Sequence, residues 1–256
     1  MNMADADRIT VKVLITRDDP AGSATVERVS EIVKRITPDV RVRSVEVANN
    51  EEAVALGFSG SPTILVSGMD IEGPRSGHPA MSARMYEKDS PIPPVWMVEA
   101  AILRAIRPRM LLFLCVANSA RSQMAEGIAR YLAPPGVQVA SAGSNPDKVR
   151  LQAIRALKEI GIDISSHYSK SVESIPPDMV EAVVTLCIEE VCPFLPRPVP
   201  RLHWGMPDPA AVTGIGEQQM EAFREVRDEL HRRLRFLFSH WKNPGKPGTG
   251  TAIHFS

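Results

Sequence analysis

One short stretch of this sequence carries residues suited to nucleophilic chemistry on an anion: Leu114-Cys115-Val116-Ala117-Asn118-Ser119-Ala120-Arg121-Ser122. A cysteine ends an apolar run, small residues follow, and an arginine opens the next helical pattern. A loop of that kind turns backbone N–H groups toward a common point, and the dipole of the helix behind it adds partial positive charge. Arg121 can grip two oxygens of a tetrahedral anion with its planar fork. The same surroundings suit a sulfur nucleophile. Ser122 can donate its hydroxyl to that sulfur, and Asn118 tolerates the left-handed backbone that a tight loop requires. The expected oxyanion cradle therefore comprises Val116, Ala117, Asn118, Ser119, Ala120, Arg121 and Ser122, with Cys115 beneath it. By itself Cys-x5-Arg is a weak pattern, because a buried cysteine is often only core. The strand-to-helix setting is what gives it weight.

That setting can be read from the flanking residues. Met110 to Val116 is a fully apolar run, the mark of a strand buried on both faces of a parallel sheet. A helix from about Arg121 to Leu132 follows it directly. Short strands are expected at Gln138–Ala142 and Ala182–Leu186, with a helix over Val149–Ile160 between them. A last long helix runs from about Glu217 to Leu237, with Met220, Phe223, Val226, Leu230, Leu234 and Leu237 on one stripe. The first half has its own alternation. Strands are expected at Thr10–Ile15, Val40–Val47 and Thr63–Val66, with helices around Val26–Ile36, Glu51–Leu56 and Trp96–Ile106. Residues 72–94 lack periodicity and read as a long loop. Strands alternating with helices indicate an α/β fold with a parallel sheet. The expected organisation is an accessory α/β domain over residues 1–108, the Cys115 domain over 109–241, and a disordered tail at 242–256, rich in Gly, Pro and Thr.

Composition narrows the function classes. Thirty basic residues balance thirty acidic ones among 256, so the net charge is zero. No whole-chain attraction to nucleic acid or an anionic membrane is expected, and an anion must be held locally. Three cysteines are too few for a disulfide-stapled scaffold and badly spaced for a zinc cage. The histidines, His167 and His203 among them, show no His-x3-His spacing, so neither a metal nor a cofactor is expected. The N-terminus lacks the basic-then-apolar pattern of a signal peptide, and no apolar run approaches the ~20 residues of a membrane helix. A cytoplasmic protein is expected.

The stretch Cys115-Val-Ala-Asn-Ser-Ala-Arg-Ser-Gln-Met-Ala-Glu-Gly127 resembles the phosphate-loop signature of the low-molecular-weight protein tyrosine phosphatase superfamily. Within it, the chain is most similar to the thioredoxin-coupled arsenate reductases. The likeness continues through Ser141-Ala142-Gly143, Val183 to Cys187, His203-Trp204-Gly205, Asp208-Pro209-Ala210 and Phe223 to Glu229, over about residues 110–238. The resemblance implies Cys115 as nucleophile, Arg121 as anion clamp and Asp208 as the general acid that protonates the leaving oxygen. It further implies that Cys187 attacks a Cys115 thiol–arsenate adduct and expels arsenite. Cys192 then attacks Cys187, and an external thiol reductant such as thioredoxin opens the Cys187–Cys192 disulfide.

Geometry constrains that scheme. Residues five apart in an extended strand lie ~17 Å apart, whereas a disulfide needs Cα atoms within about 4.4–6.8 Å. Residues 188–191 must therefore fold back. A phosphatase needs only the first cysteine, but here all three cysteines of the chain fall on the three positions of the cascade. No tyrosine follows Asp208-Pro209 to stack on an aryl substrate, since the chain reads Ala-Ala-Val-Thr-Gly there. The alternatives are a phosphotyrosine phosphatase acting through phosphocysteine and a module that only binds phosphate or arsenate. Two departures stand out. Ala120 replaces a second loop cysteine found in many reductases. Glu181 replaces an aspartate tied to a cation site in some relatives, so bound potassium is not expected, although Asn118, Glu126 and Ser141 match.

Residues 9–107 resemble a thioredoxin-like fold, with Gly60-Ser61-Pro62-Thr63-Ile64 as the turn that carries a cis-proline in such domains. The loop Asp18-Asp19-Pro20-Ala21 stands where a redox member has its cysteine pair. No cysteine precedes Cys115, so this region cannot exchange disulfides or act as a built-in reductant for Cys187 and Cys192.

Overall fold

A computed structural model of the chain describes residues 9–74, 81–188, 195–212 and 216–241. The chain forms two compact units that meet in sequence at the Arg107–Pro108 junction.

The first unit contains β1 (Val11–Ile15), α1 (Gly22–Ile36), β2 (Val42–Glu46), α2 (Asn50–Leu56), β3 (Thr63–Val66), β4 (Met69–Asp70) and α3 (Val95–Ile106). Its sheet has the order β2-β1-β3-β4, with β2 parallel to β1 and both β3 and β4 antiparallel to their neighbours. The Ser61–Pro62 peptide is cis. α1 and α3 pack together, whereas Leu14 and Leu65 pack with Val47, Ala53 and Phe58 in a separate cluster that includes α2. The buried stripe of α1 is Thr25, Val29, Ile32, Val33 and Ile36. These residues recur at the three- and four-residue spacing of one helical face. α2 begins where Asn49 accepts the Glu52 N–H at 2.9 Å while Glu52 accepts the Ala48 N–H at 3.0 Å. It ends at left-handed Gly57, so both termini are set by local chemistry.

β4 lay outside the sequence expectation because two residues carry no alternation to detect. A buried ion cluster ties β4 to the chain that follows. Arg84 donates to both Asp70 oxygens at 2.7 and 2.8 Å and to Glu72 at 2.6 Å. Ser61 is bridged to Ala83, so part of the expected loop 72–94 runs as ordered extended chain beside β3.

The second unit contains β5 (Met110–Cys115), α4 (Arg121–Leu132), β6 (Gln138–Gly143), α5 (Leu151–Lys158), β7 (Ala182–Thr185), β8 (Arg201–His203) and α6 (Glu217–Phe238). All its strands are parallel, in the order β6-β5-β7-β8. One face packs Met110, Leu112, Leu114, Ala140, Ala142 and Val183 against Ile175, Val180 and Leu195 from the connecting segments. Helices α4, α5 and α6 pack together, with α4 against β5 and β6. The buried stripe of α6 contains the six residues expected of it, from Met220 to Leu237. Gly127 permits the approach of α4, since a Cβ there would lie 2.6 Å from Ile164 and 2.8 Å from Leu157. The central strand β5 therefore ends, at Cys115, on the edge where open parallel sheets bind ligands. The tail expected at 242–256 lies outside the described residues.

Candidate active site

Cys115 is the last residue of β5 and is 2% exposed. From there to Arg121 the chain forms a tight loop whose carbonyls all find partners. Val116 O accepts from Asn145 N at 3.0 Å, Ala117 O from Asp147 N at 2.9 Å and Ser119 O from Arg150 N at 2.9 Å. Asn118 O accepts from Ser169 Oγ at 2.7 Å, and Ala120 O from Met124 N at 2.9 Å. A trans peptide directs its N–H opposite to its C=O, so tying the carbonyls down leaves the amides of residues 117 to 120 facing the other way. One of them shows the result directly: Asn118 N donates to Cys115 Sγ at 3.2 Å. The loop thus forms a nest of donors at the start of α4, the arrangement that holds an oxyanion.

Asn118 is the keystone of this loop. Its φ of 46° is left-handed, a conformation asparagine adopts more readily than most residues, and its side chain is fully buried. Its Nδ2 donates to Ser122 Oγ and Ser141 Oγ, both at 2.8 Å. Its Oδ1 accepts from Lys170 N at 2.7 Å and Gln123 Nε2 at 3.0 Å. Ser122 Oγ accepts from Asn118 and lies 2.9 Å from Cys115 Sγ, so its own hydrogen is available to a thiolate at that position. A thiolate at Cys115 can thus accept two hydrogen bonds, one from the Asn118 N–H and one from the Ser122 hydroxyl.

Beyond Ser141 the network ends in charge. Ser141 Oγ donates to Glu126 at 2.5 Å, and Glu126 pairs with Arg130 at 2.5 Å and with Lys170 at 3.2 Å. Lys170 and Glu126 are both buried. Glu181, the residue singled out in the sequence as a departure at a cation site, stands apart from this cluster. Glu181 lies at the other end of β7, where it accepts from Arg109 N at 2.7 Å and from the Arg109 guanidinium. The cation beside Asn118, Glu126 and Ser141 is the chain's own Lys170. No spacing in the sequence marks this lysine, which arrives from the segment after α5. Gln123 was also missed: its Nε2 contacts three acceptors, and its Oε1 accepts from His167 Nδ1 at 3.0 Å. Burial holds the His167 imidazolium less stable than usual, which fits a neutral ring in this position.

Arg121 opens α4 and is 4% exposed. One end of its guanidinium donates to Met206 O at 3.1 Å, and the other stands 3.6 Å from Asp208 Oδ2. Asp208 also caps a short turn, its Oδ1 accepting from Ala210 N at 3.2 Å. It is therefore both the turn aspartate that an Asp-Pro pair commonly makes and a carboxylate that faces the Arg121 guanidinium. Cys187 follows β7, adjacent to β5, and is 1% exposed. Cys192 lies outside the described residues. Among those described, no group of three or more His, Cys, Asp or Glu could hold a metal, and no helix is long and apolar enough to cross a membrane.

Comparison with known proteins places this arrangement. The chain matches the model of the low molecular weight phosphotyrosine protein phosphatase family over residues 110–246. It is 41% identical over 129 residues to an arsenate reductase of Halalkalibacterium halodurans, covering 50% of this chain and 93% of that protein. The same figures hold for an arsenate reductase of Bacillus subtilis. A crystal structure of an arsenate reductase from Archaeoglobus fulgidus aligns at 28% identity and a TM-score of 0.45, over 51% of this chain and 99% of that one. With a family match spanning more than half its length, the chain belongs to the low molecular weight phosphotyrosine protein phosphatase family.

Proposed function

We propose that this protein reduces arsenate to arsenite by a cysteine relay. The observation that carries the reading is a second buried cysteine, Cys187, just beyond the strand paired with the one that ends in Cys115. A hydrolase has no use for it. Arsenate, a tetrahedral oxyanion like phosphate, would sit in the nest of residues 116–122 with Arg121 across two of its oxygens. Cys115 attacks arsenic, Asp208 protonates the departing oxygen, and water leaves. The Cys187 thiolate then attacks Cys115 sulfur. The sulfur–arsenic electron pair stays with arsenic, which leaves as As(III), and the two sulfurs are joined. Cys192 attacks Cys187, Cys115 is released, and an external dithiol such as thioredoxin reduces the Cys187–Cys192 pair. Such a cycle suits a reducing, cytoplasmic setting.

The relatives named arsenate reductase, similar over nearly their whole length, support this reading over phosphotyrosine hydrolysis. So does the chain after Asp208-Pro209, which offers Ala210, Ala211 and Val212 where an aryl group would need a stacking partner. The first unit is read as a thioredoxin-like accessory without redox function, a reading supported by its strand order and by the absence of cysteine before Cys115. The test is a thioredoxin-coupled assay. Arsenate-dependent oxidation of thioredoxin should vanish in Cys187→Ser and Cys192→Ser proteins while both still hydrolyse an aryl phosphate. Hydrolysis without any arsenate turnover in the unsubstituted protein would make it a phosphatase, and oxyanion binding without either activity would make it a binding module.

A further inference from the structure

The relay needs Cys187 at a defined place beside Cys115, and the chain after β8 bears on that place. Leu114 pairs with Thr185, and Leu186 N donates to Leu114 O at 2.9 Å. Continued by one step, this register sets Leu186 beside Cys115, and the chain reaches Cys187 where the oxyanion loop begins. Its other side is followed by the residues after β8. Trp204 N donates to Thr185 O at 2.8 Å and Met206 N to Leu186 O at 3.0 Å. Gly205 stands between those two bonds.

Gly205 is not among the glycines with left-handed backbone, so its conformation does not demand glycine. What the missing side chain supplies is room. A Cβ there would lie 2.8 Å from Ile188 Cγ1, 3.0 Å from His203 Nε2 and 3.2 Å from the Cys187 carbonyl oxygen. The Ile188 contact is about 0.6 Å inside ordinary van der Waals contact, which begins at 3.4 Å. Gly205 cannot back away, because both its neighbours are bonded to the β7 chain and Met206 O also accepts from Arg121 at 3.1 Å. Ile188 is branched at Cβ and stiff at χ1, so its side chain does not simply swing aside. The displacement would fall on the chain at Cys187 and Ile188.

We propose that Gly205 is a positioning residue of the relay: the room it leaves seats the chain at Cys187 and Ile188, and so sets the line along which the Cys187 sulfur reaches Cys115. The role rests on the arsenate-reduction reading. In the step it serves, the Cys187 thiol loses its proton to water and the thiolate attacks Cys115 sulfur in the arsenic adduct. The sulfur–sulfur bond forms as the sulfur–arsenic bond breaks, and arsenic keeps the electron pair and leaves as As(III). Gly205 has no side chain to enter this chemistry and acts only on the approach. Since misplacing reacting groups by 1 Å costs on the order of 100-fold in rate, a shift of about 0.6 Å should cost about tenfold.

The full-length Cys192→Ser protein isolates this step, because its cascade halts at the Cys115–Cys187 disulfide. Mixed with one equivalent of arsenate, acid-quenched and mapped by mass spectrometry, it gives the rate at which that disulfide forms. Adding Gly205→Ala should slow formation about tenfold, while kcat and KM for aryl phosphate hydrolysis, which has no use for Cys187, stay within about twofold. Adding Ile188→Ala as well, which removes the atom the new methyl would meet from an exposed side chain, should recover most of the lost rate. A Gly205→Ala disulfide rate within about twofold of the parent overturns the proposal, as does a loss that Ile188→Ala does not recover. Equal losses of hydrolysis and disulfide formation in both the Gly205→Ala and the doubly substituted protein overturn it too, since they make Gly205 a support of the whole unit. If the parent Cys192→Ser protein forms no such disulfide, the reductase reading itself fails, whatever stands at position 205.

Discussion

Replacing Gly143 by alanine would put a methyl carbon 2.3 Å from the Val116 carbonyl oxygen and 2.9 Å from the Asn118 nitrogen. An ordinary contact between carbon and a carbonyl oxygen is about 3.3 Å or more, so roughly 1 Å of overlap must be relieved. Neither side can yield cheaply. Gly143 pairs with Cys115 in the β5–β6 register and donates to Lys170 O at 2.9 Å. Val116 O is held by the Asn145 N–H at 3.0 Å. What moves is the phosphate loop, and with it the Asn118 N–H that donates to Cys115 Sγ. Overpacking of this kind costs about 1–3 kcal/mol of stability, and a 1 Å misplacement of reacting groups costs on the order of 100-fold in rate. Gly143→Ala should therefore lose about 100-fold in kcat for arsenate turnover and 1–3 kcal/mol in urea unfolding. Gly136→Ala is the control. Its φ of 91° is unfavourable for alanine, but nothing lies within 4 Å of the added carbon, so it should lose about 1 kcal/mol and keep its kcat. A Gly143→Ala protein with kcat within about twofold of the parent and an unchanged unfolding midpoint would refute the claim that this glycine shapes the oxyanion nest.

Two further outcomes follow from buried charge. Lys170→Met should destabilise the second unit by about 3 kcal/mol in urea unfolding, the low end for a broken buried pair, because Arg130 still faces Glu126. Combining it with Glu126→Gln should restore part of the loss, and a full additive loss would contradict the pairing. In the first unit, burial pushes the Asp70 carboxyl up, but hydrogen bonds and charge from Arg84, with the Glu72 N–H and Ser59, hold it below its ordinary value. A carboxyl depressed by folding stabilises the fold above its unfolded value, about 3.9, and that stability is lost as pH falls through the lower folded value. Acid unfolding followed by circular dichroism should show less of this loss below about pH 4 in Asp70→Asn, whose stability at neutral pH is already reduced; an identical acid limb would count against it.

Periodicity and a single loop made much of this protein legible as text. The apolar run Met110–Cys115, the small-residue turn and Arg121 are contiguous, so their order alone determines a strand, a nest of amides and a guanidinium at a helix start. The α6 stripe was equally visible, because a face recurring every three or four residues is a local property. Short strands such as β4 and β8 carry too few residues to show alternation, and they exist only because longer neighbours pair with them. The partners of the nest were likewise decided by tertiary structure. Lys170 and the amides of residues 145, 147 and 150 are separated from Cys115 along the chain, and the pairing of β6 with β5 brings the segment after β6 beside it. Glu181 shows the same limit: it precedes β7, and the sheet sets it beside Arg109 at the end away from Cys115. A hydrogen bond depends on position within a few tenths of an ångström, and a sequence records order along the chain, so Cys115 and its loop could be read directly whereas the groups that hold them in place required the fold.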